Sequence, residues 1–110
     1  MLPASRIMYV ECKSGGLEGP ACIARVAFSK SGRSVYFRGR LLQRLGGQGF
    51  KANFVDPDTR VEYWVSGPKR NGRDRLYASG TVAIDEDVLE EYWLTIRGNP
   101  ECSGQGTYRC

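Results

Sequence analysis

ACIARVAFSKSGRSVYFRG, residues 21–39, is the stretch on which the architecture turns. Two runs of strand-forming residues flank Ser29-Lys30-Ser31-Gly32, a tight turn, so the segment reads as an antiparallel hairpin. At a period of two, Cys22, Ala24, Val26 and Phe28 share one face of the first run and Arg25 takes the other. The second run, SVYFRG (34–39), returns alongside it.

The same grammar extends in both directions. Upstream, RIMYVEC (6–12) is a strand with Ile7 and Tyr9 alternating against Met8 and Val10, followed by a loop, KSGGLEGP (13–20). Downstream, RLLQRLGGQG (40–49) is ambiguous: the spacing of Leu41, Leu42 and Leu45 suits one helical turn, ended by Gly46-Gly47, without requiring it. FKANFVD (50–56) predicts a strand with Phe50, Ala52 and Phe54 on one face. Asp56-Pro57-Asp58-Thr59 places proline where a type I turn favours it. RVEYWVSG (60–67) follows as a strand in which Val61, Tyr63 and Val65 alternate with Glu62, Trp64 and Ser66. A basic loop, GPKRNGR, contains the hairpin signal Asn-Gly, and DRLYASGTVAI (74–84) completes the sheet with an interruption near Gly80.

The pattern then changes period. Val88, Leu89, Tyr92, Trp93 and Ile96 form one apolar stripe of a helix over 86–97. Asp85 or Asp87 is placed to cap it, Asp87-x-x-Glu90 is a capping-box spacing, and Gly98 and Pro100 end it. Asp85, Glu86, Asp87, Glu90 and Glu91 suit the positive end of the helix dipole, so capping and a solvated face explain them without a metal. Residues 101–110 read as a flexible tail. The prediction is therefore an α+β protein, mostly β: a small, strongly bent antiparallel sheet or SH3-like partly open barrel of five or six strands with one C-terminal amphipathic helix, forming a single domain over 1–100.

Composition narrows the chemistry. The 110 residues include no histidine, and cysteines 12, 22, 102 and 110 contain no C-x-x-C pair, so neither a zinc site nor a Cys–His nucleophile is expected. Free thiols in a reducing compartment fit this spacing, with Cys12–Cys22 and Cys102–Cys110 bridges left open. No apolar run approaches the length of a membrane span and no signal peptide is evident, which predicts a cytoplasmic, membrane-free protein. No cofactor, metal or enzymatic activity is expected.

Within this chain RIMYVE, YFRG, FKAN, EYWVSGPKRNG, DRLY and IDEDVLEEYWLTIRG recur in the order seen in a group of short bacterial proteins, which the chain resembles over about residues 6–100. Some of that group carry a deoxyxylulose-phosphate synthase label. The resemblance implies a common fold. Thiamine-diphosphate chemistry of that kind needs several hundred residues, a diphosphate–magnesium motif and acid–base histidines, which this sequence does not contain.

Charge is the remaining signal. Residues 1–84 carry 14 Lys/Arg against 6 Asp/Glu, whereas residues 85–110 carry 2 against 6. Arg60, Lys69, Arg70, Arg73 and Arg75 cluster beside Tyr63, Trp64 and Tyr77, and a second group, Arg33, Arg38, Arg40 and Arg44, accompanies Tyr36. Guanidinium groups bind phosphates in a bidentate fork and exposed aromatics stack on bases. Trp93 reads as core, and Trp64, alternating against Val61, Tyr63 and Val65, as the exposed stacking residue. The expected site is thus Arg38, Arg40, Arg60, Trp64, Lys69, Arg70, Arg73 and Arg75, on a non-catalytic module that binds the phosphate backbone of nucleic acid. The alternative is a protein-interaction module, such as a toxin-neutralising or defence-counteracting protein, docking an acidic partner.

Overall fold

A computed structural model describes residues 4–13, 19–45, 52–75 and 80–109. Among them, β1 (Ala4–Cys12), β2 (Ala21–Phe28), β3 (Ser34–Phe37), β4 (Arg40–Arg44), β5 (Phe54–Val55) and β6 (Glu62–Ser66) follow one another around a closed antiparallel barrel. The circuit runs β1-β6-β5-β4-β3-β2 and is sealed by β1 against β2 over the full span Ala4↔Phe28 to Glu11↔Ala21. Closure removes the free edges that an open sheet would expose. The hairpin expected over 21–39 is present, with Ala27↔Tyr36 and Phe28↔Val35 in register.

β2 divides its second edge. Its last residues pair with β3, whereas Cys22 and Ile23 pair in parallel with Ala83 and Ile84 of β7 (Thr81–Ile84). β8 (Thr107–Arg109) then adds antiparallel to β7. Three residues of the segment predicted as a flexible tail, Thr107–Arg109, are therefore strand, and Tyr108 is buried there. The alternation signal for a three-residue strand is too short to read, and one aromatic among Gly, Ser and Gln gives no period.

Between β7 and β8 lies the helix, α1, 11 residues long over 86–96. It opens as a 3₁₀ turn (Glu86–Val88), relaxes into one α turn (Leu89–Glu91) and widens further into a π turn (Tyr92–Ile96), ending at Gly98 with φ +67°. Asp85 occupies the cap position with extended backbone, but its carboxylate makes no bond to the helix; it pairs with Arg38 instead. The capping box read at Asp87 and Glu90 is not formed either, because Asp87 lies inside the first turn. No helix among the described residues is long and apolar enough to cross a membrane.

Two apolar clusters result. Val10, Cys22, Ala24, Val26, Val35, Phe37, Leu42, Phe54 and Val65 fill the barrel. Ile7, Tyr9, Ile23, Val82, Ile84, Val88, Tyr92, Trp93 and Tyr108 form a second layer between the outside of β1–β2 and the β7–α1–β8 unit. β1 and β2 are thus covered on both faces, which is why RIMYV and ACIARV read as nearly continuous apolar runs. Residues 40–44, ambiguous from sequence, form a strand rather than a helical turn: Leu42 points into the barrel opposite Val35, and Leu41 points out. Adjacent leucines fit either geometry locally, and pairing with β3 decides between them. Gly46 and Gly47, read as the end of that turn, lie outside the described residues, as do Phe50 and Tyr77.

Candidate functional site

The predicted site residues fall into three places. Arg38 and Gly39 make the β3–β4 turn with φ +49° and +78°. The Arg38 guanidinium lies 5.0 Å from the Phe37 ring centroid and pairs with Asp85. Arg40 reaches Asp56 at 3.1 Å. Arg60, at φ +66°, is exposed and donates its backbone N–H to the Asp56 carbonyl. These three arginines share one end of the barrel with two carboxylates. There a cavity of about 320 Å³ opens among Val10, Cys12, Cys22, Phe37, Arg38 and Tyr63. Burial pushes the Cys22 thiol up to about 11, with Asp85 adding to the rise and Arg38 opposing it. Cys22 and Cys102 are free thiols.

Asp56 organises this end. Its carboxylate accepts the N–H groups of Asp58 and Thr59 as well as the Arg40 bond. The Asp58 N–H holds it below the ordinary carboxylate range, with Arg40 and Thr59 helping and burial opposing. A carboxyl group lowered on folding stabilises the fold above its unfolded pKa, and that contribution is lost as pH falls through the folded value. Urea midpoints are therefore expected to drop as pH is lowered from about 5 to about 3, around the unfolded aspartate value. Asp56→Asn should lower the midpoint at pH 7 and flatten this acid limb. An unchanged limb in the variant would assign the acid sensitivity elsewhere.

Lys69, Arg70 and Arg73 lie apart from that end, exposed on the loop after β6. Buried Asp74 anchors the loop by accepting from the Lys69 N–H and the Tyr108 hydroxyl, each at 2.6 Å. Arg75, expected to meet phosphate, is buried: its side chain is 7% exposed, faces Glu11 at 3.3 Å and donates to the Gly19 and Thr81 carbonyls. Trp64 is half-buried against the outer core, and its Nε1 is buried with no hydrogen-bond partner among the described residues. It does point away from Val65, as the alternation implies, but that side of β6 is covered. Trp93 is core, 2% exposed.

The opposite end of the barrel brings together a different set. Arg6 lies 6.0 Å from the Phe28 ring centroid, Lys30 and Arg33 sit in the β2–β3 turn, and the Arg44 N–H bonds the Arg33 carbonyl. Arg44 also stacks 5.0 Å over Phe54 and donates from Nε to the Gly32 carbonyl. Among the described residues, none of these four cations has an ion-pair partner. On the outward face of β3–β4, Tyr36 and Leu41 stand opposite each other, 45% and 38% exposed, three residues along their strands from Arg33 and Arg44 and nearer the Arg38–Gly39 turn. Residues 19–55 contain no Asp or Glu, so Lys30, Arg33 and Arg44 have no carboxylate close to them in sequence, but Arg38 and Arg40 of the same run are reached by distant ones. Arg6 and Lys30 are the members that counting clusters of arginine overlooks.

Among the described residues no group of three or more Cys, Asp or Glu side chains is placed to hold a metal. Comparison with protein-family models, curated proteins and solved structures yields no match to this chain.

Proposed function

We propose that this chain is a non-catalytic cytoplasmic module that binds single-stranded nucleic acid over the outward face of β3–β4 and the adjoining carboxylate-free barrel end. The observation that carries the reading is the grouping of Arg6, Lys30, Arg33 and Arg44, without an acidic partner among the described residues, at one end of the β3–β4 strands whose outward face exposes Tyr36 and Leu41. The cations neutralise phosphates, and the Tyr36 ring supplies a platform that stacks on any base. Arg38, Arg40 and Arg75, each facing a carboxylate, contribute less to such a surface. Lys69, Arg70 and Arg73 extend the positive field without an aromatic among the described residues of their loop.

Fluorescence anisotropy with a short labelled oligonucleotide tests this. Four neutralised phosphates on a single strand give a slope of log K against log salt of about −2.8. Tyr36→Ala is expected to weaken binding by about 1–3 kcal/mol, the worth of one base–aromatic stack. Undetectable binding at low salt, or binding indifferent to salt, would remove nucleic acid as the ligand. Recovery of one stoichiometric protein from a native lysate by such a non-binding chain would favour the protein-interaction reading instead.

A further inference from the structure

At the carboxylate-free end the β2–β3 turn does more than carry charge. Arg6, Phe28, Ser29, Lys30, Ser31 and Gly32 enclose a cleft of about 270 Å³. Both hydroxyls in it are engaged as acceptors: Ser29 Oγ from the Ser34 N–H at 3.1 Å, and Ser31 Oγ from the Arg33 N–H at 3.3 Å. A hydroxyl that accepts in this way keeps its own O–H hydrogen available to donate. The cleft therefore offers two O–H donors, a guanidinium held against Phe28 and an ammonium. Gly32, at φ +76°, lets the turn close, and a side chain there would be strained.

The geometry points to a phosphomonoester as the occupant of this cleft, and specifically to the terminal phosphate of a bound strand. This rests on the nucleic-acid reading above. A phosphodiester carries one charge; a terminal monoester carries close to two at neutral pH and has three acceptor oxygens. Two cations and two hydroxyl donors in one cleft, with no carboxylate among the described residues lining it, match the second pattern better than the first. A strand entering here by its end has the Tyr36–Leu41 face ahead of it for its bases, because β3 leaves the same turn.

Competition experiments test the assignment. A labelled oligonucleotide bound to the full chain is displaced by unlabelled strands of the same sequence, either unphosphorylated or bearing a phosphate on the 5′ or the 3′ end. One phosphorylated strand is expected to compete about tenfold better than the unphosphorylated one, the scale of an added charge-assisted hydrogen bond. In the Arg6→Gln, Lys30→Gln double variant overall affinity should fall and that ratio should collapse to about one. Equal competition by all three strands overturns the terminal-phosphate assignment and leaves the binding face standing. Displacement by inorganic phosphate with equal competition by the strands gives the cleft to free phosphate and likewise overturns it. If the labelled strand does not bind at all, both readings fall. A retained ratio in the double variant shows that the phosphate is read elsewhere.

Discussion

Glu11→Ala is expected to destabilise the protein by about 3–5 kcal/mol, the range for removing one member of a buried ion pair. Glu11 is fully buried and lies on the outward side of β1 between Tyr9 and Lys13. Its Oε2 accepts from the Lys13 ammonium at 2.9 Å and from the Gly19 N–H at 3.1 Å, with the Arg75 guanidinium at 3.3 Å; its Oε1 accepts from the Tyr9 hydroxyl. Four segments therefore meet at one carboxylate: β1, the approach to β2, the end of the basic loop and, through Arg75, the start of β7. The approach to β2 is tight, since a Cβ on Gly19 would lie 1.9 Å from the Cys12 carbonyl oxygen. Alanine leaves the Lys13 ammonium and the Arg75 guanidinium buried without that carboxylate, and desolvation rather than a lost contact sets the cost. Glu11→Gln keeps an acceptor oxygen and should fall between wild type and alanine. Urea unfolding at pH 7 reads the difference, and equal midpoints for wild type and alanine would show that the carboxylate is not what holds these segments together.

Tyr108→Ala is the second large effect, also about 3–5 kcal/mol by analogy with aromatic-to-alanine truncation in cores. The ring stacks on Tyr92 at 5.6 Å, meets Trp93 edge-on at 6.3 Å and lies 5.0 Å from the Arg97 guanidinium. Arg97 itself is seated among these three rings, bonded to the Tyr92 hydroxyl at 2.8 Å and backed by Gly72. Removing Tyr108 opens a hole at the centre of this group and takes a donor from buried Asp74. Tyr108→Phe separates the two contributions: it keeps the ring and should cost about 1–3 kcal/mol, the range for disturbing a buried polar group. Burial, reinforced by donation to Asp74, pushes the Tyr108 phenol far above its ordinary range, so the hydroxyl acts as a donor throughout the range in which the fold would be measured. Thermal unfolding of the two variants checks the ordering. If alanine leaves the midpoint unchanged, β8 is not integral to the outer layer.

Arg38, Arg40 and Arg75 show why the site was harder to read than the fold. As sequence they are three arginines in basic stretches, interchangeable with Arg33 or Arg44. Folding pairs Arg38 with Asp85, 47 residues away, and Arg40 with Asp56, 16 away, and carries Arg75 under β1 to Glu11. Which cations stay available is set by where distant carboxylates land, and no local pattern encodes that. Trp64 makes the same point for burial, since alternation says which side of β6 it takes but not whether α1 and its neighbours cover that side.

What the sequence by itself determined are the features carried by local period and turn chemistry: the 21–39 hairpin, the alternation along β1 and β6, the Asp56–Thr59 turn, and the stripe of α1 with its glycine stop. These depend on neighbours two to four residues away, which any reading of the chain contains. The tertiary structure alone decided that β1 pairs with β2 to close the barrel, that 40–44 is strand, that Tyr108 brings the last residues into the sheet, and that the Asp85 carboxylate turns from the helix to Arg38. Each of these is a contact between segments far apart in the chain, where the free energy of burial and pairing outweighs a local preference that was weak or double-valued.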